Sequence, residues 1–115
     1  MDIDTQIANI QSMAPSLVLL TKPLNTVGDY LFFSHVEFPG DEPAPRYHFQ
    51  IFLARKELRS KLEDIMEVLT PLMEANSDLF SLKSMKPIKL DGLFVVYQID
   101  ISVSQIYTKE DEWIN

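Results

Sequence analysis

At 115 residues, with 46% hydrophobic and 23% charged side chains, the chain has the make-up of one globular domain, large enough to build a single core without staples. It has no cysteine, which excludes disulfides and thiolate metal sites, and no apolar run approaches the ~18 residues that span a bilayer. A net charge of −7 argues against nucleic-acid binding driven by counterion release and suits a protein kept in solution by mutual repulsion.

The chain opens Met1-Asp2-Ile3-Asp4. Acids without a basic n-region do not make a signal peptide, so the expected location is the cytosol, at least during assembly. Ile3, Ile7, Ile10 and Met13 fall on one side of a helix, with acids at its positive end. Pro15 disfavours an α conformation for Ala14 and should end that helix. The short apolar run Leu17-Val18-Leu19-Leu20 reads as a strand. Pro23 and the stretch 25–29 read as a connection.

Residues 30–38 form the next predicted strand and 46–55 the one after. Between them Pro39-Gly40-Asp41-Glu42-Pro43-Ala44-Pro45 is a firm loop. Placing Val36 opposite Tyr47 sorts both faces. Phe32, Ser34, Val36 and Phe38 then join Tyr47, Phe49, Ile51 and Leu53 on one side. On the other side Phe33, His35 and Glu37 lie with Arg46, His48 and Gln50, which puts Glu37 opposite Arg46 and His35 opposite His48.

At Lys56 the period changes from two to about 3.6, with Leu58, Leu62, Ile65, Leu69 and Met73 on one stripe. This predicts a helix from near Lys56, although Ser60-Lys61-Leu62-Glu63 also matches a capping box. Pro71 should kink or end it, with a distorted last turn near Asn76. Residues 77–82 read as a loop. A strand follows over 84–90, interrupted by Pro87 and therefore at an edge or at its own beginning. Asp91-Gly92 is the strongest hairpin signal in the chain. The last strand starts at Leu93, with Val95, Tyr97, Ile99, Ile101 and Val103 on one face. Extended to Tyr107 it would reach about 50 Å, so it must bend or project. Residues 108–115 form an acidic, loosely held tail, with Trp113 as its odd apolar member.

The order α-β-β-β-α-β-β predicts a two-layer α+β domain: one mainly antiparallel sheet with two helices on one face. Residue chemistry adds little. Gly28, Gly40 and Gly92 are isolated, so no phosphate loop exists, and no nucleophile elbow or zinc-protease motif occurs. His35, Glu37 and His48 could converge on a divalent ion, but a solvated sheet face is the plainer reading. Asp41-Glu42, Glu63-Asp64 and Glu110-Asp111-Glu112 are solvated acids. Lys83, Lys86 and Lys89 suit protection of a sheet edge better than a nucleic-acid site. No catalytic residue, metal or cofactor is expected.

One feature is unabsorbed. Phe33, Phe52, Phe94, Val96 and Ile106 point to the face that the helices would leave bare, and an uncovered apolar face marks an interface unless a loop or the first helix covers it. Free sheet edges also invite an added strand.

Three stretches carry a resemblance: Arg46-Tyr47-His48-Phe49-Gln50-Ile51-Phe52-Leu53-Ala54-Arg55, Lys61-Leu62-Glu63-Asp64-Ile65-Met66-Glu67-Val68-Leu69, and Tyr97-Gln98-Ile99-Asp100-Ile101-Ser102-Val103. With the element order from Ile3 to Tyr107, the chain resembles the tail terminator proteins of long-tailed bacteriophages, including the Mu-like and lambda-like tail completion groups. The resemblance implies a non-enzymatic ring, typically of six subunits. Such a ring caps the tail tube, halts its growth and docks the head, with an acidic lumen that passes DNA without binding it. Subunit contacts would fall on the final hairpin and the bare sheet face. The loop carrying Asp41 and Glu42 would be a candidate contact with the next ring. The chain also looks like a type III secretion chaperone, a small acidic α+β dimer. Those chaperones end in a further helix, for which the short acidic tail here leaves little room.

Overall fold

The structure, a computed structural model, describes residues 3–41, 45–56, 62–75, 80–91 and 94–104. The fold is α+β, with α1 (Ile3–Met13), β1 (Val18–Leu19), β2 (Gly28–Glu37), β3 (Arg46–Arg55), α2 (Leu62–Glu74), β4 (Phe80–Asp91) and β5 (Phe94–Ser104). The expected element order is reproduced. The strands form one five-stranded sheet in the order β1-β2-β3-β5-β4. All pairings are antiparallel except β1 with β2, a two-residue parallel contact extended by the Leu20 amide donating to the Leu31 carbonyl at 2.8 Å.

Cross-strand rows explain where the core sits. Leu31, Ile51 and Ile99 stand directly opposite one another on β2, β3 and β5, and all three are fully buried. The neighbouring row on the same face is Phe33, Phe49, Ile101 and Leu82, and the one beyond it Val36, Tyr47, Val103 and Phe80. Alternation keeps these side chains on one face. Ile10 of α1 and Ile65, Leu69 and Leu72 of α2 join them in one buried cluster. Ile7, Ile10 and Met13 of the first stripe and Ile65 and Leu69 of the second are therefore at the core. Met73, expected on the second stripe, is 45% exposed, and Leu72 takes the inward position after Pro71. The hydrophobic term from burying such side chains is about 1.5–3 kcal/mol each.

Local chemistry sets the element ends. α1 stops at Met13, just before Pro15, and the turn is closed by the Leu17 amide on the Ala14 carbonyl at 3.0 Å. Pro71 lies inside α2, which runs three residues past it to Glu74. A proline there costs the helix one amide donor, but Leu72 is fully buried in the following positions, so packing holds the last turn. Lys56 lies in a bend rather than a helix, and residues 57–61, with the proposed capping box, fall outside the described residues. Residues 80–82, expected as loop, begin β4, with Phe80 opposite Val103 and Leu82 opposite Ile101. Asp91 pairs with Phe94, so the hairpin connection has two residues as expected but is set one position later, at 92–93, outside the described residues.

The expected β2–β3 register holds at Val36–Tyr47, His35–His48 and Glu37–Arg46. It fails beyond Ser34. There a bulge inserts one residue, so Phe33 faces Phe49 and Phe32 faces Gln50. One extra residue exchanges the two faces for everything upstream. Phe33 is thus packed against the core, and Phe32 takes the outer position.

Gly28 opens β2 with φ at +157°, and a Cβ there would meet the Tyr30 hydroxyl oxygen at 3.0 Å. That hydroxyl bonds to the Thr26 side chain at 2.7 Å and donates to the Thr26 carbonyl at 3.1 Å. Gly28→Ala is expected to displace the ring and cost roughly 1–3 kcal/mol, read as a lower urea midpoint. Gly40→Ala, where nothing lies within 4 Å of the added carbon, should stay close to wild type.

Candidate functional site: the outer sheet face

The face opposite the helices has two halves. The apolar half is built by Tyr30, Phe32, Phe52 and Val96 from the strands and by Ile88, which β4 displaces at a second irregularity between Pro87 and Lys89. The Phe32 and Phe52 rings lie 6.4 Å apart and tilted by 51°. The connection after β1 folds over this half. Leu20 and Leu24 close on Phe52, Ile88 and Val96 around a small apolar hollow of about 130 Å³. Val96 is only 3% exposed as a result, whereas Phe32 and Ile88 remain 38% and 46% exposed.

The polar half is a depression of about 320 Å³ lined by Ser34, His35, His48, Gln50, Lys83 and Asp100. Its shape follows from two bulges. Ser34 on β2 and Lys83 on β4 are both extra residues, and both sit at the row that joins Phe49 to Ile101. Bulges bend a strand and redirect a side chain, and these two curve the outer strands around a common hollow.

Hydrogen bonds order its walls. His35 and His48 stack with ring centroids 4.4 Å apart and 10° between planes. The Ser34 hydroxyl meets His35 Nδ1 at 2.9 Å, and Glu37 Oε1 meets His48 Nε2 at 3.2 Å. The latter contact is largely exposed on the glutamate side, so it is worth well under about 1 kcal/mol. Asp100 Oδ1 accepts from Gln98 Nε2 at 3.0 Å and Gln50 Nε2 at 3.3 Å. Ser102, next on this face, is 2% exposed, and its hydroxyl has no hydrogen-bond partner among the described residues. His35, Glu37 and His48 are brought together as the register implies. Even so, no three His, Asp or Glu side chains among the described residues are grouped to hold a metal ion.

The structure corrects the residues expected to form the interface. Phe33 belongs to the core face because of the Ser34 bulge, and Val96 is covered by the β1–β2 connection. Phe52 stays on the outer face, half-buried. Asp41 is exposed in the turn after β2. The backbone of Phe94 opens β5, while the Phe94 side chain, Glu42 and Ile106 lie outside the described residues. Phe32, Ile88, Leu20 and Leu24 stand with Phe52 on the apolar half of the outer face.

The free edge is poorly suited to accepting a strand. β4 has Lys83, Lys86 and Pro87 exposed along it and carries two irregularities. Lysine, proline and bulges are the devices that block edge pairing. No helix among the described residues is long and apolar enough to cross a membrane. No protein-family model matches the sequence, and no curated protein matches it.

Proposed function

We propose that the chain is a non-enzymatic structural subunit of the tail terminator kind, which closes the tail tube of a long-tailed phage or prophage as a ring and joins it to the head. The observation that carries this reading is the apolar half of the outer face. One face of the sheet is already filled by both helices' core side chains, and on the other Phe32 and Ile88 stand open beside Phe52. Contiguous exposed apolar surface of this kind marks a contact with another protein. The α-β-β-β-α-β-β order supports the same reading. So does the net charge of −7, which would let DNA pass a ring without gaining counterion-release affinity.

The test is made with the tube present, since a terminator can stay monomeric until it meets one. Purified chain is added to polymerising tail-tube protein, and tube lengths are measured by electron microscopy. The expected result is shortened tubes with a ring at one end. Phe32→Asp combined with Ile88→Asp should abolish the ring and restore full-length tubes while leaving the circular dichroism spectrum unchanged. Tubes that grow unchecked beside wild-type chain would end the reading. A stable dimer that holds an unfolded secreted protein would replace it with the chaperone alternative.

A further inference from the structure

Two opposite charges line the polar depression without meeting. Asp100 pairs with Ser84, and Lys83 is the extra residue beside Ser84, so both reach the same hollow from neighbouring strands. Among the described residues the Lys83 ammonium has no hydrogen-bond or ion-pair partner. Asp100 is held in place by other groups. Its Oδ1 accepts from Gln50 Nε2 on β3 and from Gln98 Nε2 on its own strand, at 3.3 and 3.0 Å. Two amides on one oxygen fix the carboxylate and leave Oδ2 as an acceptor with no partner among the described residues. Ser102 lies on the same face two positions on, and pairs with His48, another wall of the depression. Its hydroxyl is buried and bonds to no described residue. Buried polar atoms are nearly always satisfied, so this hydroxyl is a second sign, independent of the charges, that the site takes a polar ligand.

We propose that the depression binds a small zwitterion, a free α-amino acid, whose carboxylate pairs with Lys83 and whose ammonium donates to Asp100. At about 320 Å³ the hollow stands at the lower end of small-molecule sites, which begin near about 300 Å³, so its occupant is small. The charges decide which small molecule it is. An anion alone would meet the net charge of −7 and the Asp100 carboxylate, and a cation alone would meet the Lys83 ammonium. A molecule with both charges close together satisfies both poles through charge-assisted hydrogen bonds and carries no net charge against the field of the protein. Asp100 is already oriented by its two glutamines, so little ordering is left to be done on binding. The site uses neither Phe32 nor Ile88, so it stands whether or not the chain assembles with copies of itself.

The full chain is titrated with L-alanine and with L-glutamine while its amide signals are followed by NMR. The signals of Ser34, Gln50, Lys83 and Asp100 are expected to shift saturably, with a dissociation constant below about 1 mM for at least one of the two. Propionate and ethylamine, which are alanine without its ammonium and without its carboxylate, should bind at least about 10-fold more weakly than alanine. Lys83→Met and Asp100→Asn should each weaken amino-acid binding about 10-fold. Both variants keep the fold: Lys83 is exposed, and the amide oxygen introduced by Asp100→Asn still accepts from both glutamines. Phe32→Ser, in the apolar half, should leave the affinity unchanged. The absence of a saturable shift with either amino acid up to about 10 mM overturns the proposal. Propionate or ethylamine binding as tightly as alanine overturns it as well, and so does an affinity indifferent to Lys83→Met or to Asp100→Asn.

Discussion

Phe33→Ala is expected to destabilise the fold by roughly 3 kcal/mol, whereas Phe32→Ala should cost about 1 kcal/mol or less. The two residues are adjacent and chemically identical, so the difference isolates the Ser34 bulge. Phe33 packs on the core, with its ring 5.5 Å from that of fully buried Phe49. Truncation there leaves a cavity as well as losing transfer free energy. Phe32, 38% exposed, loses a tilted contact with Phe52, and its truncation at the surface leaves no closed cavity. Urea unfolding of both variants at unchanged m decides it. A regular strand without the bulge would give the opposite ranking, because continuous alternation from Val36 puts Phe32 inside. Against a total stability of about 5–15 kcal/mol, the Phe33 variant would be visibly closer to unfolding.

The same residues show what could be read in the sequence and what could not. The element order and the α+β class were legible because long periodic stretches dominate them. In β3 and β5 the mutual pairing runs without a bulge over the full strand, and the predicted faces are the observed ones. Where alternation breaks, a single-period reading goes astray. The core-facing residues of β2 are Leu31, Phe33 and Val36, and on β4 Leu82, Met85 and Pro87 pair with Ile101, Ile99 and Tyr97. Each step of three in that series is a bulge, at Ser34 and Lys83, and a further irregularity falls at Ile88. The spacing was there to be seen, but Phe32-Phe33 and Pro87-Ile88 offer an apolar residue in either register. Burial of Val96 had no such sign. It comes from Leu20 and Leu24 in a connection whose path depends on tertiary packing rather than on local pattern. The depression around His35, His48 and Asp100 follows from two bulges at one row, a coincidence visible only once the strand pairing is known.

The second large effect is expected at the opposite end of the sheet, where Arg55 Nη1 lies 2.8 Å from Asp29 Oδ1 with side-chain exposures of only 16% and 13%. The same nitrogen donates to the carbonyls of Ala54 at 3.0 Å and Gly28 at 3.3 Å. One guanidinium thus fastens the start of β2 to the end of β3. Asp29 pairs with Leu53 in the row next to Leu31 and Ile51, so the ion pair borders the buried core. Removing one partner of a pair this shielded leaves the other charge poorly solvated, which costs about 3–5 kcal/mol in buried cases. With some water access remaining, Asp29→Leu is expected near the lower limit, about 3 kcal/mol. Arg55→Met should cost a similar amount, since it strands the carboxylate and releases two carbonyls. The double variant Asp29→Leu/Arg55→Met should lose much less than the sum, because no unpaired charge is left behind. A coupling of about 2 kcal/mol in the double-mutant cycle is the expected result. Single variants within about 0.5 kcal/mol of wild type would instead mean that the pair behaves as a surface contact. The fastening of β2 to β3 would then rest on the ladder hydrogen bonds alone.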